Sequence, residues 1–175
     1  IAVYSNMPQT AKFECGHSGI NQLFSNAVWS MKGNFLEIPT DCPTRERTGF
    51  TGDAQVFVNT GMYLMECYPV YRKFLNELRA VKRDGGCVSQ TAPSGKGHLF
   101  DGSAGWSDAI DLIPWRMYLR YGNQDILKEN YEKIKEWLDF SLKRAKEDNP
   151  GRVRGKDDKY YSYLLDTGWH WGEWI

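Results

Sequence analysis

The chain has 175 residues, 41% of them hydrophobic, with Lys+Arg and Asp+Glu balanced at 22 each. That length and apolar content suit one globular domain with a sizeable core and exclude a disordered chain. With no net charge and no apolar run near the roughly 18 residues of a membrane span, neither nucleic acid nor a membrane is an expected partner, and a small neutral ligand fits better.

Cys15, Cys42, Cys67 and Cys87 are scattered without a C-x-x-C pair, which argues against a zinc or redox motif and for free thiols. The start at Ile1 reads as a cut into a longer protein, and the compartment is left open. Seven Trp residues contribute to an aromatic content of 14%, and several stand beside Gly, Asp or His instead of within apolar stripes. Such rings stack on the C–H faces of sugars, although filling gaps between helices is the more general use of Trp.

In chain order, residues 1–14 carry β-branched and aromatic residues broken by Pro8, and read as an extended connector from a preceding domain or an edge strand. Residues 15–175 then form the helical body. From Ser18, the residues Ile20, Leu23, Phe24, Ala27, Val28 and Met31 recur at three- and four-residue steps, predicting an amphipathic helix to about Gly33. Residues 34–52 hold two prolines, two glycines and many polar groups and are expected to form a loop. Asp53 is placed to cap the next helix, which has Val56, Phe57, Met62, Tyr63 and Leu64 as its apolar surface.

Pro69 interrupts that run, and a helix from about Val70 to Val81 follows, with Tyr71, Phe74, Leu75 and Leu78 on one side and Gly85-Gly86 as its stop. The Gly/Ser/Pro-rich loop 84–105 is longer than loops without a task usually are. A further helix begins at Ser107 or Asp108, passes Pro114 and ends at Gly122. The last runs from Ile126 to Lys146, with Ile134, Trp137, Leu138 and Leu142 predicted inside and Lys128, Glu132, Lys135 and Glu136 on a solvated face. The polar tail leads to GWHWGEW, residues 168–174, which reads as a loop approaching a site.

The densest polar cluster is DCPTRERTGFTGDAQ, residues 41–55. Its carboxylates Asp41, Glu46 and Asp53, flanked by Arg45 and Arg47, supply what glycosidic cleavage needs: a proton donor of raised pKa and ionised acceptors for sugar hydroxyls. On the residues alone, a capping and salt-bridge loop accounts for the cluster equally well.

The segment IPTDCPTRERTGFTGDAQ, residues 38–55, closely resembles the signature of family 78 α-L-rhamnosidases. Other blocks agree in order: FECGHSGINQL at 13–23, GWSDA at 105–109, PW at 114–115 and YGN at 121–123. The resemblance covers most of the chain. It implies an all-α fold, the first half of an (α/α)6 toroid preceded by a short extended segment, with the active site where inter-helix loops converge.

It further implies that Glu46 is the general acid, that Asp41 and Asp53 raise its pKa while binding rhamnose hydroxyls, and that Arg45, itself at the substrate site, and Arg47 steady the carboxylates. Phe50, which stands where many relatives carry Trp, and Trp106 would line the subsite for the deoxy sugar, whose C6 methyl favours apolar walls. Trp171, Glu173 and Trp174 are further candidates for lining the site. Relatives often place an acidic residue between the positions matching Arg45 and Glu46, and Gly-Asp-Trp where this chain has Gly172-Glu173-Trp174.

An inverting mechanism also needs a general base about 6.5–9.5 Å from the acid. In the family this residue lies far downstream, so the fragment is expected to be inactive alone and to pack its exposed helix faces on the remainder of the polypeptide or on other copies. The expected activity is hydrolysis of terminal rhamnose with inversion. The alternatives are another inverting (α/α)6 glycosidase and a non-catalytic carbohydrate-binding helical domain; a plain structural array would show sequence repeats, and none is visible. No metal or cofactor is required, and His17, His98 and His170 are too dispersed to suggest ligands, His170 beside two Trp being the one that could meet a sugar.

Overall fold

Apolar residues recurring at three- and four-residue steps become helices because only a helix brings them to one face. The computed structural model describes residues 1–94, 100–147, 163–165 and 167–171. Among these the elements are α1 (Ser18–Asn34), α2 (Thr51–Leu64), α3 (Tyr68–Ala80), a 3-10 turn (Asp84–Gly86), α4 (Ala109–Tyr121) and α5 (Asp125–Glu147). Among the described residues, extended backbone forms only isolated bridges, one of which joins Gln9 in the leading segment to Met65 after α2.

The helix ends follow local chemistry. His17 caps α1, its Nδ1 accepting the Ile20 N–H at 3.3 Å. Pro69 sits in the first turn of α3, where a missing N–H leaves no helical bond unmade. Gly122 ends α4 at φ 71°, a left-handed conformation that a side chain would strain.

The core lies where α2, α3, α4 and α5 meet. Val58 and Met62 of α2, Tyr71, Phe74 and Leu75 of α3, Ile110 and Ile113 of α4, and Trp137 of α5 are all buried there. Each large apolar side chain so buried contributes about 1.5–3 kcal/mol. Phe35, just past α1, joins that helix to the core through ring contacts to Phe57 and Tyr71 at 5.9 and 5.8 Å.

Three of the predicted apolar stripes are only partly buried. On α5, Trp137 is 1% exposed whereas Leu138 and Leu142 are 48% and 44% exposed. Successive helical residues are turned by about 100°, so once Trp137 faces α4, Leu138 and the residue one turn later point elsewhere. Ile20 and Leu23 of α1 and Val56 of α2 are exposed likewise. Lys128, Glu132, Lys135 and Glu136 do form a solvated face. Its ion pairs, Lys128–Asp125 and Lys135–Asp139, are surface pairs of small energetic weight. All four cysteines are free.

Candidate active site

The loop between α1 and α2 folds back on itself around Asp41. The Asp41 N–H donates to the Thr48 carbonyl at 3.1 Å, and the Thr48 N–H donates to Asp41 Oδ1 at 2.9 Å. Within that closure the Glu46 N–H donates to Cys42 Sγ at 3.1 Å. The reversal requires Arg47 at φ 54°, a left-handed conformation costly for a residue with a Cβ. Backbone strain of this kind persists only where surrounding bonds over-determine it, and it clusters at functional sites.

The start of α2 is set from outside the helix. Asp101 and Arg83 form an ion pair whose side chains are only 6% and 12% exposed. Asp101 Oδ1 also accepts the Ser89 hydroxyl at 3.2 Å and the Gln90 N–H at 3.1 Å, fixing the long loop after α3. The Gln90 carbonyl in turn accepts both the Thr51 N–H at 2.8 Å and the Thr51 hydroxyl at 3.0 Å. The helix therefore begins at Thr51, behind Phe50, and Asp53 is not its cap. Asp53 lies in the first turn, where the helix dipole favours a carboxylate, and lines a pocket. Ser89, Gln90 and Asp101 of the long loop thus help to seat this helix.

That pocket has a volume of about 390 Å³. Its apolar wall includes Met31, Phe35, Phe57 and Trp106, while Asn34, Asp41 and Asp53 provide polar groups. Few polar groups on an apolar wall is the usual make-up of a small-molecule site. Trp106 is held from behind, since Asp108 accepts the Gly105 N–H at 2.7 Å and the Trp137 Nε1–H at 2.9 Å. The Ser107 hydroxyl anchors the same turn to the Val88 carbonyl at 2.8 Å.

The Trp106 indole lies directly on Gly52. A Cβ at position 52 would stand 2.5 Å from Trp106 Cε2, a distance that nothing rigid can tolerate. Gly52→Ala is expected to displace the indole at a cost of about 1–3 kcal/mol, read as a lower urea midpoint with altered tryptophan fluorescence. Unchanged stability and emission would show that the indole is not seated on this glycine.

The three carboxyl groups are electrostatically unequal. A side-chain hydrogen bond to Asp41 raises the Glu46 pKa above its ordinary value, with desolvation and the Asp41 charge adding and Arg45 opposing. For Asp41, desolvation works upward, but hydrogen bonds from the Cys42 thiol, the Thr48 and Cys42 backbone and Glu46 together hold its pKa below the usual value. Asp53 is raised, first by the protein packed around its carboxyl and then by the Asp41 charge, although its residue as a whole is exposed at the rim. Of the pair, Glu46 therefore keeps its proton to higher pH than Asp41.

Asp41, Asp53 and Trp106 meet at the pocket, with Glu46 joined to it through Asp41. Arg45 is exposed in the turn and is not among the pocket-lining residues, nor are Phe50 and Trp171. Phe50 makes a backbone bridge to Thr91. Trp171 packs on Trp106 at 5.8 Å and donates its Nε1–H to Gln90 Oε1 at 2.8 Å. His170 has both ring nitrogens engaged by backbone, Nδ1 accepting the Ala104 N–H at 3.0 Å and Nε2 facing the Thr167 carbonyl at 2.9 Å. His98, Glu173 and Trp174 lie outside the described residues. Sequence reasoning missed Asn34 and the α1 contribution to the pocket, because nothing local distinguishes a helix C-terminus that faces a site. Among the described residues, no cluster of His, Cys, Asp or Glu is arranged to hold a metal ion.

Residues 8–175 match the model of the bacterial alpha-L-rhamnosidase 6 hairpin glycosidase domain. An alpha-L-rhamnosidase of Formosa agariphila is 41% identical over 79% of this chain and 15% of its own length. One from an Alteromonas species is 37% identical over 82% of this chain and 16% of its own. Among solved structures, the Streptomyces avermitilis alpha-L-rhamnosidase complexed with L-rhamnose superposes with a TM-score of 0.77 at 38% identity, covering 81% of this chain and 14% of that one. The chain thus spans about a seventh of the length of these relatives.

Proposed function

The chain belongs to the bacterial α-L-rhamnosidase six-hairpin glycosidase family, and on that premise we propose that it supplies the acid side of an inverting rhamnosidase active site. The observation that carries this reading is the Glu46–Asp41 pair, in which a hydrogen bond to Asp41 raises the Glu46 pKa while Asp41, held below the usual carboxylate value, lines a tryptophan-walled pocket.

In this reading a terminal rhamnose occupies the pocket, its ring face on Trp106 and its C6 methyl against the apolar wall. Asp41 and Asp53 accept hydroxyl protons and fix the ring. Glu46 transfers its proton to the glycosidic oxygen as that bond breaks, so the leaving group departs as a neutral alcohol. Arg45, exposed beside Glu46, moderates the negative field, and Trp171 backs Trp106. A second carboxylate, about 6.5–9.5 Å from the acid, activates the attacking water. We assign that base to another segment of the six-hairpin domain, which also covers the exposed Leu138, Leu142 and Leu23. We assign residues 15–175 to the helical body of that domain and residues 1–14, of which 8–14 fall within the family match, to its lead-in.

The test uses a protein carrying the complete domain. Aryl α-L-rhamnoside is expected to be turned over at least about tenfold faster than the α-L-mannoside, whose extra C6 hydroxyl would meet the apolar wall unpaired. Proton NMR of the first product should show β-L-rhamnose. Preference for the mannoside would favour another sugar on the same toroid, α-product would exclude inversion, and tight sugar binding without turnover would leave a carbohydrate-binding domain.

A further inference from the structure

The acid at this pocket sits in a turn that packs little on the rest of this chain. Residues 43–47, Glu46 among them, are exposed, whereas Cys42 and Thr48 at the two ends of the turn are half-buried. A carboxyl so placed is aimed by its main chain. Both polar groups of the Glu46 main chain are held by the side chains of those two ends: the N–H donates to Cys42 Sγ at 3.1 Å, and the carbonyl accepts the Thr48 hydroxyl at 3.1 Å.

Each of these side chains stands on a fixed base. Thr48 is bonded to Asp41 in both directions, through the two hydrogen bonds that close the turn. Cys42 precedes Pro43, and a residue before proline is held to extended backbone, so one side-chain rotation sets the position of its sulfur. A thiol carries one donor and can also accept. Here the hydrogen is directed to the Asp41 carboxylate while the sulfur accepts from Glu46, which ties Cys42 to both members of the pair. The left-handed Arg47, at φ 54°, lies between Glu46 and Thr48 and is held in place by the same bonds.

We propose that Cys42 and Thr48 are positioning residues for Glu46, their sulfur and hydroxyl fixing the main chain from which the acid reaches the glycosidic oxygen. The proposal rests on the rhamnosidase reading of the pocket and on Glu46 as its acid. Neither residue lines the pocket, so losing either should act on proton transfer more than on sugar binding.

The experiment measures kcat and KM on the protein carrying the complete domain, with a methyl α-L-rhamnoside, whose alcohol needs protonation to leave, and a dinitrophenyl α-L-rhamnoside, whose phenol does not. Cys42→Ala and Thr48→Val should each lower kcat on the methyl rhamnoside about tenfold with KM little changed, and lower it only about twofold on the dinitrophenyl rhamnoside. Cys42→Ser and Thr48→Ser, which keep a donor and an acceptor in place, should recover most of that loss. Thr48→Val preserves the volume of threonine and carries the comparison alone where the alanine variant does not fold. Equal losses on both substrates, serine variants as slow as Cys42→Ala and Thr48→Val, or no loss at all would each overturn the proposal. Glu46→Gln as active as wild type on the methyl rhamnoside would remove Glu46 as the acid and this inference with it, whereas a slow Glu46→Gln beside fast Cys42 and Thr48 variants would remove this inference alone.

Discussion

Replacing Glu46 by Gln is expected to lower kcat on a rhamnoside with a poor leaving group by about a hundredfold to ten-thousandfold, the usual worth of a general acid. The substitution keeps the shape of the side chain and removes its transferable proton. The Glu46 backbone bond to Cys42 does not depend on the side chain, so the turn should survive. Binding of free L-rhamnose, measured by calorimetry, should change little, because the pocket itself is lined by Asp41, Asp53 and Trp106. The loss should shrink on a dinitrophenyl rhamnoside, whose leaving group departs without protonation. Near-normal turnover of the poor substrate would remove Glu46 from the mechanism. An equal loss on both substrates would show that the residue acts otherwise than as the acid.

The second large effect is expected from Asp41→Asn. The hydrogen bond to Asp41 is the leading cause of the raised Glu46 pKa, and the Asp41 charge adds to it. Removing that charge lets the Glu46 pKa fall toward its ordinary value, so the proton is lost at lower pH. The alkaline limb of the kcat/KM profile should therefore move to lower pH, with activity near neutrality down about a hundredfold and partly recovered on acidification. Asp41 also lines the pocket, so some loss should persist at every pH through weaker sugar binding. A uniform loss with the alkaline limb unmoved would restrict Asp41 to sugar binding and leave the proton on Glu46 without its explanation.

The structure makes a general point about capping residues. At the sequence level Asp53 is a good N-cap, because a carboxylate before an apolar periodic run usually satisfies the free N–H groups of a first turn. Here Thr51 and Gly52 already belong to the helix, since the Gln90 carbonyl, far along the chain, holds Thr51 by two hydrogen bonds. That long-range anchor advances the helix start and puts Asp53 at the pocket. Gly52 shows the same dependence: in sequence it reads as loop, and in the fold it is the only residue type that lets Trp106 lie flat against the helix.

Helical order and chemical inventory were legible in the amino-acid sequence. Three- and four-residue apolar steps, Pro69 and Gly122 located α1, α3, α4 and α5 to within a few residues, because periodicity and terminators act locally. Residues 38–55 held the carboxylates and the family resemblance together, because that chemistry is concentrated in one loop. How Asp41 shifts the Glu46 pKa upward is visible only in the fold. That depends on the closure of Thr48 on Asp41 through a left-handed Arg47, and left-handed backbone at an arginine leaves no mark in sequence. Tertiary structure also decided that Trp137 is buried while Leu138 and Leu142 are exposed, because a stripe wider than one helix contact does not say which of its edges meets a neighbour. The buried Asp101–Arg83 pair likewise became visible only in the fold, since partners eighteen positions apart meet there by the path of the long loop and not by any local rule.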